Sequence, residues 1–234
     1  MKKKCFALLC IDIVILLILI VVNVDNTSEI NRLKQVSSNV SDSEDDNKKD
    51  SDKKVALTFD DGPHPKYTEQ LLDGLKERNV KVTFFVVGKN AEAYPDIIKR
   101  MYEEGHLIGN HTYNHVQLNT LCTKDSCDEI TKTNEVLYNI TGECPQFIRP
   151  TFGEWDKDLD CDTDMIPVLW SVDTLDWTMK NVDKIVRNGT KNVHDGDIIL
   201  MHDYYKSSVT AALRIIDKLQ SEGFEFVTVD DLIL

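Results

Sequence analysis

Two carboxylates stand side by side in Asp60-Asp61-Gly62, directly after an apolar run, and two imidazoles stand four residues apart in His111-Thr112-Tyr113-Asn114-His115. Successive side chains at a strand end diverge, so the two aspartates can serve two different centres. A four-residue spacing lets two histidines close on one metal ion. With one carboxylate they make a two-His, one-Asp set that leaves coordination positions open for water and substrate, as metal-assisted hydrolysis requires. Each piece has an ordinary alternative, a turn for Asp-Asp-Gly and surface histidines for the pair, and it is their convergence that points to chemistry. Arg149 leaves an apolar pair, Phe147-Ile148, into Pro150-Thr151-Phe152-Gly153, where a guanidinium can orient a neighbouring carboxylate. Between Trp170 and Trp177 the acids Asp173 and Asp176 share one loop; Trp170 is expected to pack and Trp177 to face a cleft, where indole stacks on sugar. Leu200-Met201-His202 ends a buried run in an imidazole suited to general acid work. His64, His106 and His194 fall in turn or helix-end contexts and are expected to be structural.

Five strings in this order resemble the polysaccharide deacetylases with the NodB-homology domain, carbohydrate esterase family 4: Thr58-Phe59-Asp60-Asp61-Gly62-Pro63, Gly109-Asn110-His111-Thr112-Tyr113-Asn114-His115, Arg149-Pro150, Asp176-Trp177 and Leu200-Met201-His202. The resemblance runs from about Lys54 to Leu234. It implies a distorted (β/α)7 barrel that hydrolyses the acetamide of N-acetylated glycans with one divalent metal ion, zinc first, with cobalt, nickel and manganese also suited. By the resemblance Asp61, His111 and His115 hold the metal, Asp60 is the base, and Arg149 keeps it ionised and aimed. His202 protonates the leaving amine with Asp176 behind it, the backbone N–H of Phe152 faces the oxyanion, and Trp177 and Leu200 wall the acetyl pocket. Peptidoglycan N-acetylglucosamine is the expected substrate, with chitooligosaccharide or an O-acetylated polysaccharide as alternatives in the same chemistry. An inactive glycan-binding module is the alternative of another class, and the presence of all seven proposed chemical residues argues against it. Where the family continues Arg-Pro-Pro-Tyr-Gly, this chain has Thr151 and Phe152; Phe152 is expected to be harmless because its contact is by backbone, and Thr151 to loosen the loop.

The elements that must position these residues alternate short apolar runs with helical stretches, the pattern of an α/β domain with a mostly parallel sheet. Strands are expected at 55–59, 82–86, 107–109, 147–148, 166–170, 198–201 and 224–227, and helices near 65–78, 95–104, 125–140, 182–192 and 208–221, several closed by a glycine. In such folds chemistry sits at the carboxyl ends of the strands, where the residues above fall.

The net charge of -13 resides in 55–234, which holds 18 basic and 31 acidic residues. Such a domain is repelled by phosphate backbones, so no nucleic-acid partner is expected. Residues 1–24 place Lys2, Lys3 and Lys4 before an apolar run from Cys5 to Val22 broken only by Asp12, which reads as an uncleaved signal anchor. The lysines stay inside, so the catalytic domain of a single-pass membrane protein faces outward, or is secreted if the segment is cleaved. Residues 25–54 are polar and read as a disordered tether carrying the 55–234 deacetylase domain. The alternating acids Asp156, Asp158, Asp160, Asp162 and Asp164 read as a solvated helix or turn. A monomer is expected. Cys122, Cys127, Cys144 and Cys161 permit two disulfides outside the cytoplasm, and the sequence-local pairing joins Cys122 to Cys127 and Cys144 to Cys161.

Overall fold

Strand β1 (Lys53–Asp60) has six consecutive buried positions from Val55 onward. A run apolar on both faces belongs inside a parallel sheet. Along one edge β1 pairs with β7 (Asp197–His202); the other edge is shared, β8 (Phe224–Val227) taking residues 53–56 and β2 (Thr83–Val86) taking residues 58–60. Beyond β2 follow β3 (Leu107–Asn110), β4 (Phe147–Ile148) and β5 (Ile166–Pro167), and beyond β7 follows β6 (Val172–Asp173), every ladder parallel. This computed structural model describes residues 53–155, 159, 161 and 164–234. The expected anchor and the tether up to residue 52 lie outside the described residues, as do Asp156, Asp158, Asp160 and Asp162. No helix among the described residues is long and apolar enough to cross a membrane.

The helices are α1 (Tyr67–Glu77), α2 (Gly88–Ala93), α3 (Pro95–Glu103), α4 (Thr123–Thr141), α5 (Val182–Thr190), α6 (Lys206–Ser221) and α7 (Asp230–Ile233). Their ends follow local chemistry. Pro95 opens α3, where a missing N–H costs nothing. Asn181 caps α5 by accepting from the Lys184 N–H at 3.0 Å, and Gly142 closes α4 at φ 81°, its N–H returned to the Tyr138 carbonyl.

Period-two alternation sorts the strands. Val55, Leu57 and Phe59 of β1 join Ile199 and Met201 of β7 in the core packed under the helices, with Leu71, Leu75, Ile215 and Ile216. The alternate residues turn inward, where Ala56 packs with Phe85, Phe147 and Val168. Thr58 and Asp60 share the face of Ala56, and Leu200 and His202 share that of Ile198. Registers set Asp60 beside His202 across the β1–β7 ladder. The inward rows therefore end in chemistry at the carboxyl edge.

Three expectations change. The single strand expected at 166–170 is two strands: Val168 N–H still donates to the Ile148 carbonyl, but Ser171 N–H donates to Ile198 on the other flank, so 168–171 crosses between sheet edges. The β5 and β6 edges share no ladder among the described residues, so the expected distorted (β/α)7 barrel is an open curl of eight strands. The sheet also begins at Lys53, which takes Lys53 and Lys54 out of the tether.

His106, 5% exposed, accepts from the Val82 N–H through Nδ1 and meets the Phe84 ring edge-on. Burial, with Lys81 adding, pushes its pKa down to about 4. The unfolded chain binds this proton below about 6.5, so stability falls as pH drops from there toward the folded value, by about 3 kcal/mol over the window. Denaturant titrations between pH 7 and pH 4.5 should show a shallower pH slope for His106→Asn than for the parent; parallel slopes would refute this.

Candidate active site

The turn after β1 puts Asp61 at φ 73°, a left-handed conformation, and aims its carboxylate across the sheet edge. Its Oδ1 lies 3.4 Å from His111 Nε2 and 3.1 Å from His115 Nε2. One ligand atom from each of the three residues falls within 4.8 Å of the others. His111 Nδ1 lies 2.7 Å from the Arg149 carbonyl, which can only accept, so Nδ1 carries the proton and Nε2 presents its lone pair to Asp61. Burial alone would raise the carboxyl pKa of Asp61, but His111 and His115 hold it far below the usual range. Asp61 in turn raises the pKa of His115, against burial. Asp61 Oδ1 is buried and makes no hydrogen bond. An unpartnered anionic oxygen facing two imidazole nitrogens is the donor set a divalent cation completes, so the residues fit a metal.

The chain from His111 to His115 is held from behind. Asn110, fully buried, accepts from Thr112 N–H at 2.8 Å and donates to the Ile130 carbonyl and to Asn134. The Glu129 carboxylate accepts from the N–H groups of Tyr113 and Asn114 at 3.0 and 2.7 Å. Thr112 and His115 sit at φ 61° and 57°, conformations that need such support. Gly109 is required before them, because a Cβ there would meet the Phe85 ring at 2.5 Å.

Asp60 is held by Arg149, whose side chain is completely buried. Arg149 Nη1 donates to Asp60 Oδ1 at 2.8 Å and to Thr58 Oγ1 at 2.6 Å, while Nε and Nη2 donate to the carbonyls of Val168 and Leu169. Burial lowers the guanidinium pKa and Asp60 opposes it. The other Asp60 oxygen lies 3.9 Å from His111 Nε2. His202 Nδ1 lies 2.8 Å from Asp176 Oδ1, and its backbone N–H donates to the second Asp176 oxygen. Burial disfavours the imidazolium, but Asp176, with Asp60 and Asp61, outweighs it and pushes the His202 pKa up to about 9.

Asp60, Asp61, His111, His115 and His202 line one cavity of about 320 Å³, walled by Phe152, Trp170, Trp177 and Leu200. Arg149 and Asp176 lie behind it, both 0% exposed. Every site residue expected from the sequence is thus at this cavity or in contact with a residue that lines it, apart from the cysteines. Phe152 sits at φ 60° with its ring 5.1 Å from that of His115, and its N–H meets no carbonyl among the described residues. Trp170, expected only to pack, does so against the Arg149 guanidinium at 5.6 Å and also lines the cavity.

Two expectations are corrected. Thr151 does not loosen its loop: it is buried, and its hydroxyl donates to the Val116 carbonyl, pinning the loop to the one after His115. The disulfide joins Cys127 to Cys161, leaving Cys122 and Cys144 as exposed thiols. Cys122 precedes α4 and Cys127 lies five residues on, about 7.5 Å along the axis and beyond disulfide reach. Cys144 lies past the far end of α4, on the order of 25 Å from the turn that carries Cys127. Sequence reasoning missed Thr58, Asn110 and Glu129. The first two stand inside the motif strings, and Glu129 carries no local signal.

A family model described as Polysaccharide deacetylase matches residues 47–164. Over 185 residues the chain is 43% identical to a peptidoglycan-N-acetylglucosamine deacetylase of Bacillus cereus, covering 76% of this chain and 67% of that protein. It is 39% identical over 182 residues to the peptidoglycan-N-acetylglucosamine deacetylase PgdA of Listeria monocytogenes, covering 78% of this chain and 39% of that protein. The chain therefore spans about two thirds of the first relative and about two fifths of the second. The structure of the peptidoglycan deacetylase PdaC from Bacillus subtilis superposes with a TM-score of 0.75 at 40% identity, covering 78% of this chain and 91% of that one.

Because Asn110 and Glu129 hold the His111–His115 turn, Asn110→Ala and Glu129→Ala should each weaken zinc affinity by about 10- to 100-fold. Competition against a chromophoric chelator, with circular dichroism as the fold control, measures it; unchanged affinity in both well-folded variants would refute the support role.

Proposed function

The chain belongs to the polysaccharide deacetylase family, and from that premise we propose that it hydrolyses the acetamide of N-acetylglucosamine in peptidoglycan to acetate and a free amine. The observation that carries this reading is one cavity lined by the Asp60 carboxylate, the His202 imidazole and the Asp61, His111, His115 cluster. The names of the relatives at 43% and 39% identity support the substrate class.

Asp61, His111 and His115 would hold a divalent cation, zinc first, which when bound acidifies water and polarises an acyl oxygen. The protein's own groups divide the remaining work. Asp60, aimed by Arg149, accepts the proton of the attacking water. The Phe152 N–H donates to the acyl oxygen as charge develops there, which a left-handed residue in a tight turn is placed to do. As the carbon–nitrogen bond breaks, His202 delivers a proton to the departing amine. With its pKa at about 9 the imidazole carries that proton at neutral pH, and buried Asp176 steadies the charge. Trp177 and Leu200 enclose the acetyl methyl, and Leu200 is 3% exposed.

The N-terminal lysines, apolar run and polar tether support an enzyme anchored in the membrane with this domain outside the cytoplasm. Membranes washed with high salt should retain the full-length chain and detergent should release it; release by salt alone would remove the anchor.

Zinc-loaded full-length chain incubated with peptidoglycan should release acetate and equimolar free amine. Asp60→Asn should lower turnover by about 10²- to 10⁴-fold with zinc still bound. Release of no acetate from peptidoglycan or chitooligosaccharide, or an unimpaired Asp60→Asn, would overturn the reading.

A further inference from the structure

At the amino ends of the strands, away from the edge that carries the chemistry, lies a cavity of about 260 Å³ that the deacetylase reading does not use. It sits where β3 and β4 begin and α3 and α4 end, floored by Leu107, Leu137 and Phe147. Cys144, just beyond α4, brings an exposed free thiol to it. Glu143 and Asp230 bring two carboxylates, and the hydrogen bonds these accept come from neutral hydroxyls: Tyr102 Oη donates to Glu143 at 2.7 Å and Thr228 Oγ1 to Asp230 at 2.5 Å. No lysine or arginine is among the lining residues, so the wall carries negative charge without a cation beside it. Lys81, whose charge acts on the lining residue His106, gives its ammonium to the Glu104 carbonyl.

His106 adds a donor. It is 5% exposed and part of the lining, and its Nδ1 accepts from the Val82 N–H, which leaves the proton of the neutral ring on Nε2. That N–H has no acceptor among the described residues and is not sealed from open space, so it faces the cavity. A buried donor without a partner, in a cavity whose other polar groups are a thiol and two carboxylates, is a place made for a molecule. The chemistry narrows which one. A thiol exchanges with disulfides, the carboxylates favour a reagent carrying ammonium groups, and the N–H can donate to a sulfur that departs with an electron pair.

We infer that Cys144 and this cavity form a modification site for small disulfides bearing ammonium groups, separate from the acetyl pocket. The Cys144 sulfur, as thiolate, attacks one sulfur of the reagent. A new sulfur–sulfur bond joins Cys144 to that half, the original bond breaks, and the other half leaves as a thiolate that takes up the proton Cys144 released. Cys144 is oxidised to a mixed disulfide and the departing half is reduced to a thiol, so the exchange needs no further oxidant. Glu143 and Asp230 hold the ammonium of the half that stays.

The full-length chain is treated in separate samples with cystamine, hydroxyethyl disulfide and dithiodipropionate, disulfides of similar size that are respectively cationic, neutral and anionic. Peptide mapping by mass spectrometry reads the labelling rate at Cys144 and at Cys122, the other exposed thiol, which stands at the start of α4 with both Lys124 and Asp125 close by in sequence. The ratio of the cystamine rate to the neutral rate should be about tenfold higher at Cys144 than at Cys122, and the anionic disulfide should be slowest at Cys144. Putrescine, which has two ammonium groups and no sulfur, should slow cystamine labelling at Cys144 saturably and spare Cys122. Glu143→Gln combined with Asp230→Asn should bring the Cys144 ratio down to that of Cys122, with circular dichroism as the fold control. Equal ratios at the two thiols in the unsubstituted chain, or Cys144 labelling that putrescine does not slow, overturns the site. None of these readouts involves acetate release, so their outcome is independent of the deacetylase reading.

Discussion

Arg149 carries a positive charge into a place with no solvent, and the rest of the site is arranged around satisfying it. Its donors reach Asp60, Thr58 and the carbonyls of Val168 and Leu169, and its plane lies 4.3 Å from the centre of the Phe85 ring. Removing one partner of such a buried pair typically costs 3–5 kcal/mol, because the other charge stays desolvated. The same residue gives its carbonyl to His111 Nδ1. One amino acid therefore fixes the direction of the Asp60 carboxylate with its side chain and the tautomer of a candidate metal ligand with its backbone. Thr58 closes the arrangement: it accepts from Arg149 and donates to the Ile199 carbonyl, tying the guanidinium to the β1–β7 ladder that sets Asp60 beside His202.

Around that anchor the backbone is bent into conformations it would not choose freely. Asp61, Thr112, His115, Phe152 and Leu175 all have positive φ without being glycine, and all lie in loops at the carboxyl edge of the sheet. Each costs on the order of 1–3 kcal/mol. The hydrogen bonds that the Thr112 and Asn114 N–H groups donate to Asn110 and Glu129, and that Thr151 donates to Val116, offset part of that cost. Beneath the Asp61 turn lies Asp203, fully buried, which accepts from Thr68 and leaves no room for a Cβ on Gly62. Burial pushes its pKa up to about 7, with Asp61 adding.

Much of the site was legible in the sequence because its chemistry demands particular side chains at strand ends, and strand ends can be found from apolar runs. Asp60, Asp61, His111, His115, Arg149, Asp176 and His202 were all identifiable in this way, and they meet. What failed to show were residues whose importance comes from contacts far along the chain. Glu129 is an ordinary helical glutamate until α4 folds back onto Tyr113 and Asn114. Thr151 read as a defect in a proline pair because Val116, its acceptor, is 35 positions away. The cysteine pairing failed for the same reason: sequence neighbours on and beside a helix point apart, while Cys127 and Cys161 approach to 5.1 Å between Cα atoms. The apolar run at 166–170 concealed a switch of partners, since Pro167 has no N–H to extend a ladder and Ser171 finds one on the opposite edge.

The shared edge of β1 has a consequence for how the chain is made. The first strand of the domain finds partners along its full length only in β7 and β8, the last two strands, with Lys53 set opposite Phe224. At ordinary ribosomal speeds the intervening stretch takes roughly 10–30 s to synthesise. Throughout that interval the most apolar strand of the sheet has an edge it cannot fill, and early release of the N-terminal half yields no native ladder along that edge. Completion of the sheet is deferred until β7 and β8 have been made, so the polypeptide stays in a threadable state throughout that interval.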